Sequence, residues 1–286
     1  MNNLLSGLEK FGLSMDEEMD LFADDKKKGA EGNGQAANVE PPKEEDFLLD
    51  KKMECPVCTK SFMAKRLKSG KLKRLEPDDD LRPRHEYMDT LKYSVTSCPH
   101  CGYTAINRNF EAVSSAQMKF IREAICSKFR NENPNEQFVT YTYDQAIDMY
   151  KLALFNSIAK KGKNSEKAYI CLNISWLLRG KAEEMENNPQ GNKEIAAEIR
   201  KEELTFYQQA FEGFLKAIAT EMFPMCGMEE STVEYMMAVI AMNLGKMDVA
   251  SRFVSSILGS QAANRRLKDK ALELKGKIIA KIKEQK

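Results

Sequence analysis

The chain has 286 residues, and its 44 lysines and arginines nearly balance its 43 aspartates and glutamates. This balance excludes a strong overall attraction to nucleic acids or anionic membranes, so only local charge can support such binding. No apolar stretch approaches the roughly 20 residues that cross a bilayer, and the first residues lack the pattern of a signal peptide. Seven cysteines, an odd number, argue against a disulfide framework, and we expect a cytoplasmic protein.

Two segments precede the first cysteine. Residues 1–23 carry leucine and phenylalanine at intervals that predict a short amphipathic helix, either a tethered docking peptide, a lid on the main body or a frayed end. Residues 24–50 contain the run DDKKKGAEGNGQAANVEPPKEED, dominated by glycine, proline, asparagine and charge. Such a composition buries too little apolar area to offset chain entropy, so we predict a flexible linker.

Residues 51–111 differ in character from the segments on either side of them. Short stretches typical of β-strands occupy residues 62–67, 71–75 and 91–96. They surround a Ser69-Gly70 turn and the cysteines of this region. The pattern predicts a small module of strands and turns.

Residues 112–286 show helix signals throughout. Apolar residues recur every three or four positions, which predicts helices over residues 142–161, 165–182, 193–222 and 267–282. The run AYICLNISWLLRG is apolar on nearly every side, so we expect a central buried helix there. Three pairs have the spacing of a capping box at a helix start: Ser114 with Gln117, Thr142 with Gln145, and Ser231 with Glu234.

Residues 235–258 indicate how these helices pack. Gly245 separates two short helices, and Ala238 and Ala250 are small where antiparallel helices approach closely. The spacing is similar to that of a tetratricopeptide (TPR) repeat, and the pair over residues 142–182 shows it more loosely. The predicted fold class is mainly α: a TPR-like domain of helical hairpins over residues 112–286, preceded by the small β module.

Four cysteines form two matching pairs, in ECPVCTK and SCPHCGY. Two C-x-x-C turns are the natural halves of a tetrahedral metal site, because each turn directs two sulfurs at one ion. A proline holds the same place in both turns and restricts one backbone angle. We therefore predict a zinc-ribbon-like, metal-binding module over residues 51–111. Its ligands are Cys55, Cys58, Cys98 and Cys101.

The ligand set favours Zn²⁺, with a mononuclear iron as the alternative. Four protein ligands leave no open position for water, so the metal is expected to be structural, and we identify no catalytic residues or other cofactor. His100 lies between two ligands and is expected to point outward, whereas His85 offers a variant with three thiolates and one imidazole. Lys51, Lys52 and Lys60 are near enough in sequence to offset the negative charge of the site.

The hairpin over residues 60–74 contains many basic residues and no acid. It is either an ordinary solvated hairpin, which acids at positions 76–80 could neutralise, or a surface that binds nucleic-acid phosphates. The residues that would contact nucleic acid are Lys65, Arg66, Lys68, Lys71, Lys73 and Arg74. Asp78 to Asp80 are interpreted as loop residues.

The remaining cysteines lie in the helical region. We expect Cys126, Cys171 and Cys226 to pack as small apolar residues. Cys226 lies in a PMCGM turn and is the one to test for reactivity, although no neighbouring base can be identified from the sequence.

Several of these features together resemble a bacterial family catalogued as domain of unknown function 2225. They are CPVC, an aromatic residue at Phe62, the acidic-then-basic stretch DDDLRPR, and CPHCGY, followed by TPR-like helices to the C-terminus. The resemblance covers about residues 50–285. His85 and Glu86 depart from the basic and aromatic continuation typical of the family, without touching the four cysteines. The resemblance implies a soluble, metal-binding bacterial protein and no particular reaction.

These observations support three functions. The first is a non-enzymatic adaptor, in which a structural zinc ribbon is fixed to a helical body that binds a protein or peptide partner. The second is a nucleic-acid-binding ribbon that uses the basic hairpin 60–74. The third is a thiol-based redox sensor that releases zinc on oxidation.

Overall fold

A computed structural model describes residues 41–131 and 133–284 of the chain. The helix predicted over residues 1–23 and the linker as far as residue 40 lie outside these ranges. Residues 44–50, which the sequence analysis assigned to the linker, instead form a 3₁₀ turn at Glu44–Phe47 and the start of the first strand. This strand was missed because nearly all of its residues are exposed and its sequence, LLDKKME, lacks β-branched residues and an alternating apolar pattern.

Two antiparallel hairpins form the amino-terminal part. Strand β1 (Leu48–Glu54) pairs with β2 (Ser61–Leu67), and the short strand β3 (Val95–Ser97) pairs with β4 (Thr104–Ile106). Phe62 and Ala64 of β2 face inward and are buried, while their neighbours Ser61 and Met63 are exposed. This alternation is what a strand with one buried face requires.

One of the predicted strands was wrong, and another was only partly confirmed. Residues 71–75 make only an isolated bridge, between Arg74 and His85, because Pro77 and Pro83 interrupt further pairing. Residues 91–96 begin with a 3₁₀ turn, Thr90–Tyr93, and only the last two belong to β3. The Asp89 side chain accepts a hydrogen bond from the Leu91 amide at 3.0 Å and so caps that turn.

Helices make up the rest of the described chain. They are α1 (Ser115–Ile121), α2 (Tyr143–Ala159), α3 (Asn164–Asn187), α4 (Lys193–Thr220), α5 (Glu230–Asn243), α6 (Met247–Gly259) and α7 (Arg265–Glu284). A π-helical turn, Arg122–Cys126, comes directly after α1. The chain is therefore mainly helical, with a small β module before it, as the sequence predicted.

The predicted capping boxes are present at two of three helix starts. Ser114 and Thr142 each cap their helix in the predicted reciprocal way. The third was wrong, because α5 begins at Glu230 and Ser231 lies within its first turn. Glu234 instead accepts a hydrogen bond from Ser256 of α6 at 2.6 Å, which links the two helices of this hairpin.

Helix α3 lies at the centre of the helical body. Its residues from Ile170 to Leu178 are buried on all sides, as the run AYICLNISWLLRG predicts, and its most extensive packing is against α4. Helices α5 and α6 form a hairpin around Gly245, and Ala238 and Ala250 are fully buried. The likeness to TPR repeats and the predicted domain boundaries remain predictions. The chain from Pro42 onward forms a single compact unit.

Candidate metal centre

Each cysteine pair lies in the turn of an antiparallel hairpin. Cys55 and Cys58 lie between β1 and β2, whereas Cys98 and Cys101 lie between β3 and β4. The β1–β2 hairpin contributes Phe62 and Ala64 to the core around the cysteines, and the β3–β4 hairpin also packs on helix α2. The two halves of the site therefore come from hairpins with different surroundings.

The two turns have the same backbone hydrogen bonds. The Thr59 amide donates to the Cys55 carbonyl at 2.8 Å, and the Gly102 amide donates to the Cys98 carbonyl at 3.0 Å. Thr59 and Gly102 both have a positive φ, 60° and 75°. The first turn thus adopts the glycine-type conformation with a β-branched residue, which costs backbone strain. The matching sequences CPVC and CPHC fold into matching turns.

The turns bring four sulfurs together. The Sγ atoms of Cys55, Cys58, Cys98 and Cys101 all lie within 4.8 Å of one another. The Sγ–Sγ distance is 3.6 Å between Cys55 and Cys101 and 3.7 Å between Cys58 and Cys98. A tetrahedral site with metal–sulfur bonds of about 2.3 Å needs sulfurs about 3.8 Å apart, and these two distances are close to that value. Cys58 is half-buried and the other three are buried.

Backbone amides point at the sulfurs. The Cys58 amide donates to the Cys55 sulfur, the His100 and Cys101 amides donate to Cys98, and the Tyr103 amide donates to Cys101. These N–H groups favour the thiolate form, which is the form that binds metal. These amides therefore help to offset the negative charge of the four thiolates. From the sequence, Lys51, Lys52 and Lys60 were expected to have this role.

The thiols also share protons. Hydrogen bonds from the Cys101 and Cys55 side chains hold the pKa of Cys98 well below its ordinary value. Its hydrogen bonds with Cys55 and Cys98, together with burial, raise the pKa of Cys101. Metal binding requires all four cysteines as thiolates, so an incoming cation would displace the protons that the thiols carry.

A small apolar core surrounds the cysteines. Phe62, Tyr103 and Phe110 pack against them with ring centroids 5.0–6.0 Å apart. Ile121 of α1 belongs to the same core, so the helix after the β module also covers the site. The Arg122 guanidinium donates to the Val57 carbonyl at 2.7 Å and holds the first turn in place.

Neither histidine joins this cluster in the described part of the chain. His100 Nε2 lies 3.2 Å from the Ser61 carbonyl, on the outside of the turn. His85 Nδ1 lies 3.1 Å from Thr90 Oγ1, and burial lowers the pKa of its imidazole. The geometry therefore favours four thiolates over the variant with His85.

The three remaining cysteines have different surroundings. Cys171 is buried in the main helical core. Cys226 donates a hydrogen bond to the Ser165 carbonyl at 3.3 Å, and burial raises its pKa to about 11, which disfavours reactivity. Cys126 packs against the small core around the cysteine cluster, and burial raises the pKa of its thiol. Its position was missed because it depends on the π-helical turn, which sequence periodicity does not indicate.

The basic residues of the 60–74 hairpin have varied environments. Lys65 forms an ion pair with Asp50 at 2.9 Å, and Lys73 forms one with Glu86 at 3.7 Å. Arg66 is turned inward, where its Nη2 lies 2.6 Å from Thr96 Oγ1. Lys68 Nζ donates to the Asp46 carbonyl at 2.9 Å. Lys71 and Arg74 are exposed and make no ion pair with any residue in the described ranges.

The acidic stretch after this hairpin does not neutralise it. Residues 76–84, here called the anchor loop, insert Asp80 into the helical body, where its side chain is 1% exposed. Asp80 Oδ2 accepts hydrogen bonds from Trp176 Nε1 and the Tyr207 hydroxyl, both at 3.0 Å, and lies 2.9 Å from Arg179 Nη1. This buried cluster ties the loop to α3 and α4.

Arg82 strengthens the same attachment. Its side chain is 2% exposed and pairs with Glu183 of α3 at 3.1 Å and with Asp89 at 3.3 Å. Gly180 leaves the space for it, because a Cβ there would lie 2.7 Å from Arg82 Nη2. Asp78 to Asp80, which were interpreted from the sequence as loop residues, thus lie in a loop that links the β module to the helices through buried charged groups.

A cleft of about 470 Å³ lies beside the anchor loop. Charged side chains of both signs line it, and they pair with one another: Arg84 with Glu183 at 2.9 Å, and Lys92 with Glu44 at 2.6 Å. Because these charges compensate one another, the cleft has no marked preference for an anion or a cation.

Comparison with known proteins gives one match. A family model described as an uncharacterized protein conserved in bacteria (DUF2225) matches residues 48–278. No curated protein and no solved structure matches the chain. Within the described ranges, no helix combines the length and the apolar character needed to cross a membrane.

Proposed function

We propose that this chain, which belongs to the DUF2225 family, is an adaptor in which a structural Zn²⁺ clamps the β1–β2 hairpin to a helical body that binds a protein or peptide. The ligands are Cys55, Cys58, Cys98 and Cys101. The observation that carries the proposal is the convergence of these four sulfurs from two separate hairpins.

The donor set supports zinc. All-thiolate tetrahedral sites suit zinc or a mononuclear iron, and the Sγ–Sγ distances of 3.6 and 3.7 Å suit metal–sulfur bonds of about 2.3 Å. When bound, the ion supplies folding free energy and no open coordination position for chemistry. The protein's amides and the Arg122 contact keep the turns in the conformation that holds it.

The surroundings of the two hairpins indicate the role of the clamp. Val95 and Ile106 of the β3–β4 hairpin belong to the large helical core, whereas the β1–β2 hairpin contributes to the small cysteine core. A cross-link between the hairpins therefore fixes β1 and β2 to the body.

Elemental analysis of the full chain, purified without added metal, tests the ligand set. We expect about one zinc per chain in the wild type and none in the double variant Cys98→Ser with Cys101→Ser. Cys226→Ser is the matched control, because it removes a thiol outside the cluster and should retain zinc. A wild-type protein without metal contradicts the proposal, and visible iron–thiolate absorption would identify iron instead.

The adaptor role is supported by exposed apolar residues on the helices. Phe155 and Ile158 of α2 are 50% and 56% exposed, and they lie three positions apart on one helix face. Exposed apolar side chains that cluster in this way are typical of protein interfaces. We expect a partner captured by the wild type from a bacterial lysate to be lost with Phe155→Ser and Ile158→Ser combined. Leu204→Ser, at an exposed apolar residue of α4, is the control and should retain it.

Nucleic-acid binding is the second candidate, and one observation favours it. The acids at positions 76, 79 and 80 pair with helical residues, so Lys71 and Arg74 lack the neutralising partners that these acids could have provided. If the hairpin binds phosphates, oligonucleotide affinity should fall steeply as salt rises. Lys71→Ala with Arg74→Ala should then reduce the steepness. No binding at low salt contradicts this candidate.

A further inference from the structure

Helix α7, the last helix of the described chain, carries many more cations than acids. Its sequence, RRLKDKALELKGKIIAKIKE, contains eight lysines and arginines but only three acids. The chain as a whole is nearly neutral, with a formal net charge of +1. The positive charge of α7 is therefore local, and a local excess of this kind can attract a polyanionic surface.

The anchor loop neutralises one side of α7. Lys270 Nζ lies 3.2 Å from Glu76 Oε1, and Lys277 Nζ lies 2.5 Å from Asp79 Oδ2. Arg266 Nη2 approaches the same Glu76 oxygen at 3.9 Å. The protein's own acids therefore compensate the charge of these three cations.

Another side of α7 carries cations without such compensation. Because successive residues of an α-helix are rotated by about 100°, an arc of about 80° on this helix holds four cations and two apolar residues, and no acid. We call this arc the outer flank, and its members are Arg265, Lys268, Leu272, Lys275, Ile279 and Lys283. None of its cations forms an ion pair with any residue in the ranges 41–131 and 133–284.

The two apolar residues of the outer flank are exposed. Leu272 is 55% exposed and Ile279 is 45% exposed, and they lie two helical turns apart on the same side of α7. The residues that pack α7 onto the body are Ala271, Leu274 and Ile278, which are buried on a different face. Leu272 and Ile279 therefore do not belong to the hydrophobic core, and a further apolar environment would be needed to bury them.

We propose that the outer flank of α7 binds the surface of an anionic lipid bilayer. Clusters of about four to eight lysines and arginines on an amphipathic helix are typical of binding to anionic lipids, because each cation is attracted by the negative surface potential. Lysine stems can lie along the apolar boundary while their ammonium groups reach the headgroup phosphates. Leu272 and Ile279 then enter the boundary between headgroups and acyl chains.

The apolar residues favour a bilayer over a nucleic acid. Affinity for nucleic-acid phosphates comes mainly from cations that displace counterions, and exposed Leu272 and Ile279 would add little to it. The boundary of an anionic bilayer offers negative charge and apolar depth at the same place. The outer flank has the complementary combination, with its two apolar residues between cations along the helix.

Co-sedimentation of the full chain with lipid vesicles tests the proposal. The probes are vesicles of phosphatidylcholine alone and vesicles of phosphatidylcholine with an equal part of phosphatidylglycerol. We expect binding to the anionic vesicles only, and weaker binding as salt rises, because salt screens the attraction. Lys275→Gln combined with Lys283→Gln should weaken this binding about 10- to 30-fold.

The matched control is Lys270→Gln combined with Lys277→Gln. It removes the same net charge from the same helix, but from cations that pair with the anchor loop. This control should therefore bind anionic vesicles nearly as tightly as the wild type. Leu272→Ser combined with Ile279→Ser keeps every charge and should weaken the binding about tenfold, because less apolar area leaves water.

Three results would overturn the proposal. One is no binding of the wild type to anionic vesicles at low salt. Another is equal weakening in the two lysine variants, which would assign the binding to net charge. The third is full vesicle binding by the variant without Leu272 and Ile279; oligonucleotide binding through the same lysines would then identify a nucleic-acid surface. These changes leave the four cysteines and the exposed residues of α2 intact, so the metal site and the adaptor role are tested separately.

Discussion

The cysteine core and the helical core differ in how they are stabilised. The helical core is a large, continuous set of buried apolar side chains centred on α3 and α5. The cysteine core is much smaller, and three of the four cluster cysteines are among its buried members. Apolar burial stabilises at about 25 cal/mol per Å², so a small core gains little from it. We therefore expect the β module, unlike the helices, to depend on the cross-link proposed at the four cysteines.

The anchor loop adds a second kind of attachment between the two regions. The anchor loop is attached by buried ion pairs and hydrogen bonds of Asp80 and Arg82. The two cysteine turns instead meet through their four sulfur atoms. The two attachments can therefore be broken separately, and each break should reveal which region depends on it.

Removing the metal proposed at the four cysteines should have the largest effect. A structural zinc contributes on the order of 10 kcal/mol of apparent binding free energy, which is more than the small core can replace. We expect chelation to abolish amide-exchange protection in β1 and β2 and to leave α3 and α5 protected. If chelation instead removed amide-exchange protection from β1, β2, α3 and α5 together, the two cores would not differ in how they are stabilised.

Asp80→Ala should have the next largest effect. It leaves Arg179, Trp176 and Tyr207 without their buried acceptor, and removing one partner of a buried charge pair costs about 3–5 kcal/mol. Denaturant unfolding of the variant measures this loss.

Asp79→Ala is the matched control for Asp80→Ala. Asp79 has an exposed side chain and forms a surface ion pair with Lys277. Asp79→Ala should therefore lower the free energy of unfolding by less than about 1 kcal/mol. If Asp80→Ala and Asp79→Ala lowered the free energy of unfolding equally, Asp80 would not stabilise the protein through its buried contacts.

Gly102→Ala tests the second cysteine turn. A Cβ at this position would lie 2.5 Å from the Phe129 ring, in addition to the strain of a positive φ. Gly70→Ala is its control, because Gly70 has nearly the same φ, 73°, and open space around it. We expect Gly70→Ala to lower the free energy of unfolding by about 1 kcal/mol, and Gly102→Ala to lower it by about 1–3 kcal/mol more. Equal thermal shifts would mean that Phe129 does not pack on the turn.

Acidification should have the smallest effect on the anchor loop. Burial alone would raise the pKa of Glu183, but hydrogen bonding from Arg84 and the charge of Arg82 hold it below its ordinary value of 4.5. Its contribution is therefore present above pH 4.5 and is lost as pH falls through the lower, folded-state pKa.

Glu183→Gln isolates this contribution. We expect the stability difference between wild type and variant to be largest near pH 7 and to shrink below pH 4.5, in thermal unfolding at each pH. Any metal held by the four cysteines should be released alike by both proteins on acidification, so their difference reports Glu183. A difference that grows on acidification would reverse the assigned sign.

Local patterns in the sequence were enough to predict several parts of this molecule. The C-x-x-C turns, the capping boxes at Ser114 and Thr142 and the buried character of α3 depend on residues a few positions apart. Neighbouring residues fix these geometries through backbone hydrogen bonds and periodicity, so one sequence contains the required information. The family resemblance rested on the same short stretches.

The tertiary structure alone decided the rest. Asp80 meets Trp176 and Tyr207 across about a hundred residues of sequence, and Cys126, at the end of a π turn, packs against the cysteine core. Residue types and spacing do not indicate which distant side chain will bury a charge, because that choice depends on the packing of whole helices. The sequence by itself determined the two cysteine turns, and the packing of the helical body decided what holds them in place.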